Sequence, residues 1–236
     1  MKGGTLWLIP TLLAPGPPEA VVPAAVLAVT RRLSFFIAEN EKTARRYLKA
    51  AGTSVPLNDL EFAVLNKHTR PEEVPALCAP LLEGRDAGLI SEAGMPGIAD
   101  PGAAVTAWCH QNGITVKPLT GPSSILLALT ASGFNGQHFT FHGYLPIDAS
   151  ARKKYLKKLE RSAEDEGISQ IFMETPFRND KLLNDLLHVC RPSTHLCIAR
   201  DITGDTEFIK TAPLSFWKKQ KPTLHKHPAI FVLGKF

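Results

Sequence analysis

Short β-rich apolar runs alternate with longer stretches of helical period along almost the whole chain, and this alternation most limits what the chain can fold into. The runs occupy residues 5–9, 34–38, 87–91, 114–118, 138–142, 169–173, 194–199 and 228–233. Helical stretches fill 19–32, 41–51, 72–83, 103–112, 123–132, 151–163 and 180–190. Strands that alternate with helices predict parallel sheets covered by helices on both faces, an α/β fold. Residues 202–216 and the last run follow one another without a helical stretch, which predicts an antiparallel finish. Gly121-Pro122 breaks the pattern, and Ser123 after it is a good N-cap for the next helix. Two α/β domains, 1–120 and 121–236, are therefore expected.

The formal net charge of +5 belongs entirely to the second half, since the first 120 residues are neutral. Excess positive charge in one half suits a polyanion such as RNA, and a solvated face without a partner is the other reading. The densest charge lies in 152–166, where six Lys and Arg precede Glu164, Asp165 and Glu166. It reads as an exposed helix or as a phosphate contact, and its terminal acids oppose the helix dipole and predict fraying. Cys78, Cys109, Cys190 and Cys197 are scattered without a Cys-x-x-Cys pair, which favours buried free thiols over disulfides or zinc. No apolar run reaches the ~20 residues of a membrane span. The opening segment Met1–Pro10 has too short an apolar core for a secretory signal, so a cytoplasmic home is expected.

Absent motifs narrow the chemistry further. There is no Gly-x-x-x-x-Gly-Lys-Ser/Thr loop, no Gly-x-Gly-x-x-Gly after a strand, no Gly-x-Ser-x-Gly and no His-Glu-x-x-His. His225 and His227 have no further ligand at metal spacing, so no metal is expected. The informative stretch is Ser91-Glu92-Ala93-Gly94-Met95-Pro96-Gly97-Ile98-Ala99-Asp100-Pro101-Gly102. A buried strand delivers this loop to the carboxyl edge of a sheet, where open α/β sheets bind ligands. Its glycines permit close backbone approach, its prolines fix the path, and Asp100 is placed to cap the following helix. A plain connecting loop is the alternative.

This loop resembles the Ser-Asp-Ala-Gly-Thr-Pro…Asp-Pro-Gly signature of the ribosomal small-subunit methyltransferase I family, within the tetrapyrrole methylase superfamily. Further likenesses follow in order. Gly4-Thr5-Leu6-Trp7-Leu8-Ile9-Pro10-Thr11 resembles the family's first strand and loop. Ala38-Glu39 with Thr43 and Arg45 resembles Ala-Glu-Asp-Thr-Arg, and His68 stands where the family has a His-Asn pair. Pro118-Leu119-Thr120-Gly121-Pro122-Ser123-Ser124, Phe141-His142-Gly143-Tyr144-Leu145-Pro146, Met173-Glu174-Thr175-Pro176-Phe177-Arg178 and Ala199-Arg200-Asp201-Ile202-Thr203 resemble four later family motifs.

The resemblance implies two tetrapyrrole methylase-like α/β domains with S-adenosylmethionine in the cleft between them. Implied cofactor contacts are Ile9, Pro10, Glu92, Ala93, Gly94, Met95, Ser123, Ser124, Met173, Glu174, Ala199, His227 and Pro228. A ribose hydroxyl is a weak nucleophile and needs a proton acceptor. His68 and Glu39 are the catalytic candidates, with Glu92 beside them. Arg45, Arg178 and Arg200 are candidates for holding phosphate or carboxylate, or for ion pairs. The implied activity is 2′-O-methylation of small-subunit ribosomal RNA by a homodimer that needs no metal and no membrane. Methylation of a corrin, porphyrin or other small acceptor, and an inactive RNA-binding module, stay open. They do so because Glu92 replaces the family's Asp, Met95 its Thr, Asn40 an Asp and Thr69 an Asn. Leu12–Pro18 also stands where the family has Pro-Ile-Gly-Asn.

Overall fold

The apolar runs become strands, several of them buried on both faces. The computed structural model describes residues 3–236; Met1 and Lys2, the start of the segment tested for a signal, lie outside the described residues. The chain divides into two units, Met1–Ser123 and Ser124–Phe236. The first unit runs β1 (Thr5–Ile9), α1 (Ala24–Arg32), β2 (Phe35–Ala38), α2 (Glu41–Ala51), β3 (Glu61–Val64), α3 (Val74–Leu82), β4 (Ala87–Ile90), α4 (Gly102–Gln111) and β5 (Thr115–Pro118). Its sheet has the order β3-β2-β4-β1-β5, and every pairing in it is parallel. β2 and β4 are buried along their whole length, as parallel strands covered on both faces must be.

Chain order and strand order together place the site. Right-handed crossovers send the leftward connections through α1 and α2 to one face, and the rightward ones through α3 and α4 to the other. In agreement, α1 packs on α2 and α3 on α4. One apolar layer contains Leu6, Ile37, Cys78, Leu89 and Cys109; the opposite layer contains Ile9, Phe36, Tyr47, Leu48 and Ile90. β4 therefore leaves the sheet toward a different face from both its neighbours, β1 and β2. That divergence opens a crevice at the carboxyl edge.

The second unit runs α5 (Ser124–Ser132), β6 (Phe139–Tyr144), α6 (Ala149–Asp165), β7 (Ser169–Met173), α7 (Asn179–Val189), β8 (His195–Arg200), β9 (Phe208–Pro213), α8 (Leu214–Lys219) and β10 (Ala229–Gly234). Its sheet order is β6-β7-β10-β8-β9. β6 and β7 are parallel, whereas β10 runs antiparallel to β7 and β8, and β9 antiparallel to β8. Phe172 and Phe231 stack at 5.9 Å in its core. No helix among the described residues is long and apolar enough to cross a membrane.

Four expectations change. The helix expected from residue 19 begins at Ala24, because Pro23 sits at its N-cap and Pro18 starts a separate single turn. β3 was not foreseen; it is a four-residue edge strand with no fully buried side chain. The finish is antiparallel as expected, but α8 interrupts it and buries Leu214 and Trp217. The end of α6 does not fray: Glu160 and Glu164 face Arg191 at 3.6 and 3.7 Å, and Glu166 accepts from Ser162 Oγ. All four cysteines are buried free thiols.

One buried ion pair fixes α6 in the second unit. The Arg152 side chain is 5% exposed and lies 2.6 Å from Asp185 on α7. Its Nη1 donates to the carbonyls of Pro146 and Ile147 at 3.0 and 2.7 Å. Removing one partner strands a buried charge, so Arg152→Met should lower stability by about 3–5 kcal/mol. Adding Asp185→Leu should recover part of that loss. Urea unfolding midpoints of the two variants check both outcomes.

Candidate functional site

Three loops converge at the carboxyl edge of the first sheet. β1 ends at Ile9, and the Pro10 carbonyl after it accepts the Tyr47 hydroxyl at 3.1 Å. The Pro10 ring lies where a Cβ on Gly121 would fall, so the loop after β5 passes at a distance only glycine allows. Thr11 N–H donates to the Gly94 carbonyl at 2.9 Å, pairing the β1 loop with the loop after β4. Gly94 itself has φ +73° and lies close to the Pro122 carbonyl. The structure thus gathers Ile9, Pro10, Gly94 and the approach to Ser123 at one place.

The β4 loop is fastened at both ends. Near its start Ser91 Oγ donates to the Ala93 carbonyl at 3.3 Å. At its far end Asp100 accepts Gly97 N–H at 2.9 Å and Gly102 N–H at 2.6 Å. Asp100 thereby ties the loop as well as serving the first turn of α4. Between these ties Glu92 and Ala93 stand exposed and Met95 half-exposed. Ile9 is fully buried.

Glu39, just after β2, joins this loop. Its N–H donates to Ile90 O at 3.4 Å, and its carboxylate accepts the Glu92 N–H. Partial burial raises the Glu39 pKa above the ordinary carboxylate value, and the charges of Glu92 and Asp100 raise it further. Thr43 Oγ1 lies 3.3 Å from Glu92 Oε1. His68 is exposed on the loop after β3, where its N–H donates to Asn66 Oδ1 at 2.8 Å. Among the described residues its ring has no partner, so the structure ties Glu39, and not His68, to the loop.

Beside the crevice lies a cavity of about 410 Å³. One wall is residues 11–16 of the β1 loop, another Ser91, Glu92 and Ala93, and the third the α2 face carrying Thr43, Arg46, Tyr47 and Ala50. Burial pushes the Tyr47 phenol up to about 12, keeping it a donor to Pro10. Arg46 and Tyr47 were missed in the sequence, and Thr43 entered only as part of a family motif. Their i, i+3, i+4 spacing, continued by Ala50, is one helical face and was the available signal.

In the second unit Met173, Glu174, Ala199, His227 and Pro228 lie along one sheet edge. Ile230 pairs with Met173 on one side and Ala199 on the other. The Pro228 carbonyl accepts Asp201 N–H at 3.0 Å, and His227 Nδ1 is 2.7 Å from Asp201 Oδ2. Asp201, Thr203 and Lys226, all near this edge, hold left-handed φ of 52°, 68° and 66°, strain of the kind that collects at functional sites. Glu174 is consumed by Arg178 at 2.5 Å and by Thr175 N–H, and Ala199 is fully buried. Ser123 is buried and Ser124 opens α5.

The three candidate arginines are engaged within their own units. Arg45 pairs with Glu41 and donates to Leu57 and Leu60 carbonyls. Arg178 holds Glu174, and Arg200 donates to Thr223 and Thr206 carbonyls. Each is a structural pin. No group of three or more metal-ligating side chains occurs among the described residues.

A sheet crevice whose loop backbone is rigid and open, set beside a carboxylate with raised proton affinity, suits group transfer to a weak nucleophile, and the fold is that of methyltransferases. The chain belongs to the tetrapyrrole methylase family: the model of the Tetrapyrrole (Corrin/Porphyrin) Methylases matches residues 15–216. It is 30% identical to the ribosomal RNA small subunit methyltransferase I of Escherichia coli O157:H7, over 98% of this chain and 77% of that one. To the protein of the same name from Thermotoga maritima it is 32% identical, over 83% of this chain and 85% of the other. Among solved structures, the methyltransferase CobJ shares the fold with a TM-score of 0.63 at 19% identity, covering 100% of this chain and 95% of its own.

The carboxylate cluster raises the proton affinity of Glu39. Glu39 should protonate at higher pH than an ordinary glutamate, and its contribution to stability should be lost as pH rises through that raised pKa. Glu92→Gln should lower the Glu39 pKa more than Asp100→Asn does. Carboxyl-carbon NMR of the three proteins measures the order.

Proposed function

We propose that this enzyme transfers a methyl group from S-adenosylmethionine to a ribose 2′-hydroxyl of small-subunit ribosomal RNA. The observation that carries the chemistry is the attachment of Glu39 to the β4 loop, which sets a proton acceptor beside an open, rigid backbone. Support for the substrate is the name shared by relatives that span nearly the whole chain. The residues fit the cofactor in kind: an exposed turn at Glu92 and Ala93, glycine where backbone must come close, and apolar surface for an adenine. In the first unit Ile9, Pro10, Glu92, Ala93, Gly94, Met95 and Ser123 would hold it. In the second unit the proposed contacts are Ser124, Met173, Glu174, Ala199, His227 and Pro228.

When bound, S-adenosylmethionine supplies a methyl group already activated by its sulfonium charge. Glu39 would take the proton that the ribose hydroxyl gives up. Its raised pKa strengthens it as a base. Glu92 and Asp100 keep that proton affinity high. His68, exposed on the β3 loop, is the second catalytic candidate and the less firmly held. On this reading the protein works in the cytoplasm as a homodimer.

Labelled methyl transfer to small-subunit RNA tests the function, and absence of incorporation rejects it. Glu39→Gln should lower kcat about 10²–10⁴-fold while S-adenosylmethionine still raises the melting temperature. An unchanged rate in that variant would remove Glu39 from the mechanism.

A further inference from the structure

α6 carries an exposed row of cations that its own packing leaves unpaired. Lys153, Lys154, Lys157, Lys158 and Arg161 are all exposed, whereas Arg152, the sixth cation of the segment, is turned inward onto Asp185. Among the described residues none of the five makes an ion pair. The nearby acids Glu160 and Glu164 face Arg191, and Glu166 takes Ser162. Asp165 shares a groove with Lys157 and Arg161 without pairing to either.

The spacing works against the isolated helix. Lys153, Lys157 and Arg161 follow one another at i, i+4, and so do Lys154 and Lys158, while 154–157 and 158–161 are i, i+3 neighbours. Every one of these neighbours is a like-charge pair, which destabilises a helix. Stable solvated helices interleave acids on such a face. The row is also straight and rigid: four residues rise ~6 Å, and the Arg152–Asp185 pair together with the Pro146 and Ile147 carbonyls fixes how the helix is turned. A face that concentrates one sign of charge at regular intervals fits a polyanion whose charges also recur at regular intervals.

We propose that this face of α6 is a docking track for the phosphodiester backbone of the RNA substrate. It positions the RNA without reading its sequence, since phosphate contacts carry register and not base identity. The inference rests on the functional reading above, which supplies RNA as the polyanion, and it assigns to α6 a contact separate from the loops that hold cofactor and reacting hydroxyl.

The test measures equilibrium binding of a small-subunit RNA fragment against KCl concentration. The wild-type chain is compared with a variant in which Lys153, Lys154, Lys157, Lys158 and Arg161 are all changed to Gln. A second variant, with Gln at the exposed Lys49, Lys218 and Lys219, controls for net charge. Each single-strand phosphate contact contributes ~0.7 to the slope of log affinity against log salt. The α6 variant should therefore lose about 3.5 from that slope if all five cations engage, with affinity falling alike for unrelated RNA sequences. The control should lose far less per charge removed. An α6 variant with wild-type slope, or one that loses no more per charge than the control, overturns the track while leaving the function intact. Failure of the wild-type chain to bind RNA at all overturns the functional reading instead, as does wild-type binding to anionic phospholipid vesicles in place of RNA. An unchanged S-adenosylmethionine-induced melting shift in the α6 variant shows that it has folded.

Discussion

Everything at the first unit's carboxyl edge depends on β4 lying between two strands whose connections leave toward the opposite face. Strand order imposes this, and the right-handed crossover rule turns it into a crevice. A gap of that kind is useful only if its lips are held. The Thr11–Gly94 backbone hydrogen bond, the Pro10–Gly121 contact and the Asp100 ties do so with backbone and short side chains. Few long rotamers need ordering, so the loop is organised before any ligand arrives, and binding costs correspondingly less.

That rigidity brings an electrostatic consequence. Three carboxylates, Glu39, Glu92 and Asp100, are held close enough to influence one another. Held by the same ties that shape the crevice, they raise the proton affinity of Glu39, the most buried of the interacting groups that carries a shift. Asp100 therefore serves twice, as the anchor of Gly97 and Gly102 and as a charge acting on Glu39.

The alternation of apolar runs and helical stretches made the α/β architecture legible from the sequence, because parallel strands buried on both faces must be continuously apolar. What escaped lay where tertiary packing overrode local pattern. β3 survives as an edge strand because Phe35–Ala38 offers it a partner, not because of its own sequence. α8 is six residues long and is held by Trp217, whose indole N–H donates to the Leu196 carbonyl at 3.0 Å. For the candidate site, composition left the glycine–proline loop open between a ligand loop and a plain connection, and the family resemblance singled it out. The attachment of Glu39 to it was not legible, since residues 39 and 92 meet through strand order that no local pattern encodes. His68 was favoured on residue chemistry, and its loop lies beyond β2, outside the hydrogen-bonded cluster.

Two of the departures from the family pattern, residues 12–16 and Glu92, fall on one cavity, whereas Asn40, Thr69 and Met95 do not line it. Residues 12–16, which stand where the family has Pro-Ile-Gly-Asn, form one wall of the cavity of about 410 Å³; Glu92, in place of Asp, belongs to another, and Thr43 and Arg46 face them. A carboxylate longer by one methylene reaches Thr43, and the apolar Leu12-Leu13-Ala14-Pro15 segment offers surface for a flat ring in place of polar contacts. Such changes leave the crevice geometry alone, because its ties run through Thr11, Gly94 and Asp100. They alter instead what the neighbouring cavity can accept. These departures therefore fall on the cavity walls, while the ties that shape the crevice are kept.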